Sequence, residues 1–360
     1  MASIDFDDRP FLVIWETTQA CDLACKHCRA EAIPDRDPGE LTTEEGKALL
    51  DEVARMGTPI FILSGGDPLR RPDLEELIRY GKEIGLRMGT IPAATPALTR
   101  ERIQALKDAG VDQVAFSIDG PTERIHDSFR GVDGSFAKTL EGVEFAHEAG
   151  IPVQINTCFA SWNFAYLEPM VELVKSLGVV FWEVFFLVPT GRGREMQSLK
   201  ADQFEQVFER LHRLNSEAPF IVKVTEAPHY RRYVIEKEMA EHAATAEERI
   251  EYILARPRGI AGIGMSPKAV NSGKGFAFVS HIGEIYPSGF LPIVAGNVRE
   301  HSLADIYRNS PLFRELRDPA ALGGKCRPCA YADVCGGSRA RAYAVTGDYM
   351  AAEPFCAYHP

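Results

Sequence analysis

Long apolar runs are missing from this sequence. None reaches the roughly 18 residues that a membrane-spanning helix needs, so no span is expected. Positive charge is also scarce: 40 Lys and Arg stand against 51 Asp and Glu, a formal net charge of −11. A nucleic acid partner requires a basic face, and no basic cluster stands out from this acidic background, so none is expected. Short stretches such as GRGRE (191–195) and RARAY (339–343) could still hold one anionic group. The opening MASIDFDDRP is acidic and lacks the apolar h-region of a secretory signal, so a reducing cytosol is the expected compartment. No internal repeat and no low-complexity tract is present. What remains is 360 residues, 45% hydrophobic and 25% charged, an ordinary globular composition with length for one large or two medium domains.

Cysteine is sparse but unevenly placed. Of eight, three sit at 21, 25 and 28, four at 326, 329, 335 and 356, and Cys158 stands alone. In a reducing compartment such clusters point to metal or redox chemistry before structural disulfides.

The first 190 residues alternate strand-like and helix-like segments. Strands are expected within 10–16, 59–68 (with a glycine turn at its end), 87–93, 111–120, 151–159 and 179–191, and helices within 42–57, 72–85, 99–110, 135–150 and 167–178. Each helix closes on a glycine that is followed by an apolar run. Repetition of this βα unit argues for a parallel sheet with helices outside it, either a partial barrel or an open doubly wound sheet. In both, ligands gather at the C-terminal strand ends. There lie the cysteines after strand one, SGGDP after strand two, SIDG after four, NTC on five and PTGRG after six. Residues 200–258 read as helical and charged, 259–275 as glycine-rich, 276–293 as a hairpin around Gly283, and 302–318 as one or two short helices.

Cys21, Cys25 and Cys28 form C-x3-C-x2-C directly after a strand. A disulfide would strand one thiol, and structural zinc ordinarily takes four ligands. Three thiolates on a [4Fe–4S] cluster leave one iron open, the arrangement of a catalytic centre. On spacing, cluster and zinc both remain open. With its context the stretch resembles the radical S-adenosylmethionine (SAM) superfamily, over nearly the whole chain. That resemblance implies an α/β fold, a partial (β/α)6 barrel with a small C-terminal iron–sulfur auxiliary domain. It divides the chain into a barrel (1–200), a helical connecting segment (201–265) and an auxiliary domain (266–360). It implies that the amino and carboxylate groups of SAM chelate the open iron. It further implies that Gly65, Gly66, Asp67 and Pro68 form the turn around the SAM amino group, with Asp67 where Glu is commoner. Ser117 and Asp119 would face the cofactor, Arg130 would pair with the SAM carboxylate, and Asn156 would make a polar contact to it. PTGRG would pass near adenine or substrate.

The tail runs C-x2-C-x5-C-x20-C through Cys326, Cys329, Cys335 and Cys356. Four ligands make a closed site, which on spacing alone suits zinc or a second cluster equally. The region resembles SPASM and twitch auxiliary-cluster domains, which implies a second, fully ligated [4Fe–4S] cluster. Full SPASM domains carry a further cysteine where Ser288 stands here, so one auxiliary cluster is implied, and about eight irons per chain. The tail most resembles enzymes that trim side chains in heme d1 synthesis and in an alternative heme route, with Ser338 where relatives often have cysteine. The same architecture also serves peptide-modifying enzymes.

The resemblance implies reductive cleavage of SAM to a 5′-deoxyadenosyl radical that abstracts hydrogen from the substrate, with a flavodoxin or ferredoxin as electron donor. The substrate is expected to be a heme-pathway tetrapyrrole undergoing oxidative decarboxylation, with a ribosomally made peptide as the alternative. A third reading is a non-enzymatic cluster or zinc scaffold. Cys158 is expected to be a small buried hydrophobe, His27 to pack beside the cluster, and Tyr343 to be a weak candidate proton donor near the auxiliary site.

Overall fold

The computed structural model describes residues 4–242 and 269–360. All six expected strands form: β1 (Leu12–Glu16), β2 (Ile60–Ser64), β3 (Arg87–Thr90), β4 (Gln113–Ser117), β5 (Val153–Phe159) and β6 (Phe181–Phe186). The intervening helices are α1 (Thr43–Arg55), α2 (Leu74–Glu83), α3 (Arg100–Asp108), α4 (Glu123–Arg130), α5 (Ser135–Glu148) and α6 (Leu167–Ser176). Local chemistry sets their ends. The Thr42 hydroxyl accepts from the Glu45 N–H at 3.2 Å while Glu45 accepts from the Thr42 N–H at 2.7 Å, a reciprocal cap. At the far end of α3, Gly110 takes φ +93, a left-handed conformation in which a side chain would be strained.

Two elements depart from the sequence reading. Helix α4 lies where only a motif was expected. A seventh strand, β7 (Ile221–Thr225), interrupts the segment read as helical, between α7 (Ala201–Glu217) and α8 (His229–His242). The charged segment beyond 242 and the glycine-rich stretch up to 268 lie outside the described residues. The expected hairpin forms as β8 (Phe276–Val279) and β9 (Glu284–Tyr286), followed by β10 (Gly296–Asn297), α9 (Leu303–Asn309), α10 (Pro311–Arg317) and α11 (Arg339–Thr346).

The strands make one sheet in the order β10-β9-β8-β1-β2-β3-β4-β5-β6-β7. β1 to β7 run parallel, and β8 adds to β1 in parallel. The sheet is open between its β7 and β10 edges, a partial barrel. Because strand side chains alternate, one set packs outward on the helices: Trp15, Leu63, Phe116, Ile155 and Trp182 meet residues such as Leu50, Leu77, Val143 and Val171 in the main core. The inward set is divided. On β1, β2 and β8 it is apolar, with Leu12, Ile14, Ile60, Ile62 and Phe276. On β4 to β7 it is a polar ladder: Gln113 donates to Gln154 at 2.8 Å, Gln154 to Glu183 at 2.7 Å, and Thr225 to Glu183 at 2.5 Å. Lys223 closes it with an ion pair to Glu183 at 2.9 Å. Such groups are stable inside only when bonded to one another.

Tyr307, fully buried on α9, ties the C-terminal region to the start of the barrel. Its hydroxyl donates to the Phe6 carbonyl at 2.7 Å and accepts from the Gly275 N–H at 3.0 Å. Tyr307→Phe strips the partner from a buried N–H just ahead of β8. Stability is expected to fall by about 1–3 kcal/mol in anaerobic urea unfolding, and an unchanged midpoint would refute this role.

Candidate functional site

The cysteine loop leaves β1 and is gripped by the ends of the neighbouring strands. The turn after β2 is pinned to it by Gly66 N–H to the Thr18 carbonyl and Asp67 N–H to the Ala20 carbonyl, both 2.7 Å. A Cβ on Gly66 would lie 2.5 Å from the Gln19 carbonyl oxygen and 2.6 Å from that of Ala20, so only glycine permits this approach. From the other side comes the turn after β6. A Cβ on Gly191 would meet the carbonyl oxygens of Cys28 and Arg29 at 2.5 Å. Arg192 follows: its N–H donates to the Cys28 carbonyl at 3.0 Å, and its guanidinium to the carbonyls of Cys25 at 3.0 Å and Ala32 at 3.3 Å. PTGRG thus braces the cysteine loop, and GRGRE uses Arg192 on carbonyls of this chain. Beneath lies α4, whose Phe129 carbonyl accepts from the Lys26 N–H at 3.0 Å.

Cys21, Cys25 and Cys28 share one small cluster with Leu23, Ala93 and Val132. Each sulfur carries a donor: Leu23 N–H on Cys21 at 3.4 Å, Ala32 N–H on Cys28 at 3.5 Å, and the Arg130 guanidinium on Cys25 at 3.5 Å. Burial, reinforced by Asp67 and the other two cysteines, pushes the Cys21 thiol up to about 12. A bound metal would have to displace its proton. Asp119 and Arg130, expected to face a cofactor, form a buried ion pair here. Burial opposes both charges, yet each holds the other ionised: Arg130 is raised and Asp119 lowered from their ordinary values. Asp119 also accepts from the Cys158 N–H at 2.7 Å, and its own N–H donates to His126 Nδ1 at 3.2 Å. Asp67 is fully buried and accepts from Leu69 N–H, Ala93 N–H and the Thr95 hydroxyl, at 3.1, 3.2 and 2.6 Å. Its carboxylate caps the turn that continues through Pro68. Gly65 stands in the same turn, against the Thr18 carbonyl. Ser117 ends β4 paired with Asn156, and Asn156 accepts from Gln154 at 2.7 Å.

Sequence reasoning missed an aromatic stack. His27 lies on Phe129, ring centroids 4.4 Å apart, and Phe129 on Trp162 at the same separation. Around the loop, four buried atoms lack partners among the described residues: His27 Nδ1, Arg130 Nε, Trp162 Nε1 and Arg192 Nη2. A buried donor without an acceptor is costly, so this cradle suits a bound anionic or acceptor-rich group. The residues fit a cluster with SAM beside it.

At the tail, Cys326, Cys329, Cys335 and Cys356 all line one hollow that opens to solvent, with Tyr331 and Tyr358 beside them. Gly337 N–H donates to Cys335 and Glu353 N–H to Cys326, each at 3.4 Å. Four thiols facing one space fit a closed cluster. Tyr343 packs in one apolar cluster with Leu291, Met350 and Cys326, one of the four tail cysteines. The RARAY stretch holds an internal anion: buried Arg341 pairs with Glu353 at 3.2 Å and donates to the Phe186 and Leu187 carbonyls at the end of β6, both at 3.2 Å. Ser288 and Ser338, the two positions where cysteine was expected in relatives, both donate to the Glu226 carboxylate, at 3.5 and 2.5 Å.

Two outcomes follow from this geometry. Gly66→Ala is expected to spring the turn from the cysteine loop and lower iron by roughly four atoms per chain after anaerobic reconstitution, with a full complement refuting the clamp. His126 is pushed down to about 4 by burial and by Arg130, so it is neutral in the fold. A depressed histidine contributes stability above its unfolded value near 6.5 that is lost as pH falls toward about 4. His126→Gln should flatten the decline of the unfolding midpoint across that window; a slope equal to that of the parent protein would contradict this.

Comparison with known proteins places this geometry. Residues 15–174 match the Radical SAM superfamily model, and residues 271–330 the SPASM iron–sulfur cluster-binding domain. The chain is 43% identical over 357 residues to an AdoMet-dependent heme synthase of Methanosarcina barkeri, covering 99% of both chains. It is 40% identical over 351 residues to an AdoMet-dependent heme synthase of Oleidesulfovibrio alaskensis, covering 97% of this chain and 87% of that one. A PqqA peptide cyclase of Rhodopseudomonas palustris is 28% identical, over 98% of this chain and 88% of its own. In fold, the chain superimposes on the crystal structure of Streptococcus suis SuiB bound to S-adenosylmethionine with TM-score 0.74 at 14% identity, over 98% of this chain and 78% of that one. Among the described residues, no helix is long and apolar enough to cross a membrane. The strand-end grip on three cysteines, the four-thiol hollow and full-length similarity converge: this chain belongs to the radical SAM superfamily, and is a radical SAM enzyme with a SPASM-type iron–sulfur domain.

Proposed function

We propose that this enzyme converts a heme-pathway tetrapyrrole by oxidative decarboxylation of its propionate side chains. The observation that carries this reading is 43% identity over 99% of the chain to a protein named for heme synthesis, against 28% to the peptide cyclase. The cofactors are SAM and two [4Fe–4S] clusters. In this reading Cys21, Cys25 and Cys28 hold the catalytic cluster, and Cys326, Cys329, Cys335 and Cys356 the auxiliary one. Bound and reduced at the front site, the catalytic cluster would supply the one-electron reductive cleavage of SAM that initiates hydrogen abstraction from the substrate.

The chain's own residues orient and enclose. Arg130 Nε is free to meet the SAM carboxylate while the rest of the guanidinium stays on Asp119 and Cys25. Gly65, Gly66, Asp67 and Pro68 shape the turn beside the SAM amino group, with Asp67 acting through that turn. Ser117, Asp119 and Asn156 mark the strand ends on the ribose side. Half-buried Phe185 of β6 and Phe290 of the tail region, centroids 6.2 Å apart, offer an aromatic surface to a flat macrocycle. Water exclusion follows from this enclosure, since the radical must meet only its target. Residues 1–200 serve SAM, 266–360 the auxiliary cluster, and 201–265 connect them while contributing β7. A flavodoxin or ferredoxin delivers the electron.

Anaerobic incubation with iron coproporphyrin, SAM and dithionite tests this. A Soret shift on binding is expected, then products lighter by carbon dioxide and two hydrogens per side chain converted. Cys25→Ala should abolish SAM cleavage. An unshifted Soret band and unchanged mass, with SAM cleavage intact, would reject the tetrapyrrole and favour a peptide substrate.

A further inference from the structure

His229 opens α8 and is fully buried. Among the described residues, neither ring nitrogen has a hydrogen-bond partner. The side chain lines the same hollow as Cys326, Cys329, Cys335 and Cys356. Phe204 and Phe208 pack against the ring, at 5.0 and 4.9 Å between centroids, and fix its position. An aromatic core residue in this place needs no nitrogens. Phenylalanine would pack against Phe204 and Phe208 in the same place without leaving two polar atoms unsatisfied. The ring nitrogens therefore have a use in the hollow.

Ligation of iron is one possibility the geometry argues against, because four thiols already provide a complete set for a closed cluster. We infer that His229 donates a hydrogen bond to a sulfur of the auxiliary cluster and thereby raises its reduction potential. A donor on a cluster sulfur stabilises the reduced, more negative state. His229 acts here as a positioning and tuning residue, with no contact to the reacting carbon required. The inference rests on the tail cysteines holding a cluster, as proposed above.

The experiment uses full-length protein carrying Cys21→Ala, Cys25→Ala and Cys28→Ala, so that signals come from the tail alone. Iron content and the reduced-state electron paramagnetic resonance spectrum are recorded first. Absence of a tail cluster at this stage overturns the ligand assignment, and this inference with it. With the cluster present, midpoint potentials are compared for His229, His229→Phe and His229→Gln, and nitrogen couplings are read by pulsed resonance. The expected result is a more negative midpoint in His229→Phe with loss of a weak nitrogen coupling. His229→Gln, which keeps a donor, should lie between His229→Phe and the parent. An unmoved midpoint in His229→Phe overturns the inference. So does a strong nitrogen coupling in the parent accompanied by loss of iron in both variants, since that identifies a ligand instead.

Discussion

The structure depends on close backbone approach between the cysteine loop and two strand-end turns. Carbonyl oxygens of Gln19, Ala20, Cys28 and Arg29 lie only 2.5–2.6 Å from where Cβ atoms of Gly66 and Gly191 would be. Backbone contact at that range is stiff, because no rotamer can yield. It fixes the loop that carries Cys21, Cys25 and Cys28 relative to β2 and β6 at once. Arg192 adds the matching electrostatic hold, with its donors on the Cys25 and Ala32 carbonyls. A catalytic centre must hold reacting groups within a few tenths of an ångström, and rigid elements do this better than long side chains.

From this constraint the arrangement of charge follows. Arg130 reaches Cys25 and Asp119 from the last residue of α4, and Asp119 is held by the Cys158 N–H while its own N–H donates to His126. A buried ion pair of this kind contributes little net stability, since desolvation offsets attraction. Its value lies in presenting a fixed cation at the strand ends. The same logic repeats toward the tail. Arg341 joins Glu353 to the carbonyls ending β6, and Glu226 gathers Ser288 and Ser338. These bonds link the barrel mouth to the auxiliary region through buried polar groups, so the two centres share one framework.

How much of this was legible in the sequence depended on the range of the interaction. The six βα units could be read because capping, periodicity and glycine stops are local, as at Thr42 and Gly110. The cysteine sets and GGDP could be read because chemistry fixes their spacing. β7 was hidden because IVKVT is five residues long between two charged helices. α4 was hidden because ERIHDSFR carries its apolar positions only at Ile125 and Phe129. The role of Arg192 could not be read at all, since its acceptor on Cys25 lies 167 residues away. Ser288 and Ser338 were visible as departures from a pattern, but their shared acceptor, Glu226, was not. His229 had no local signal, because its unpartnered nitrogens have meaning only beside the four thiols.

Mössbauer spectroscopy of the front centre, with the tail cysteines replaced and SAM added anaerobically, tests the central claim most directly. The account predicts a cubane cluster in which one iron changes its signal on addition of SAM while the other three keep theirs. A spectrum without a cubane, or one whose irons all ignore SAM, would contradict it.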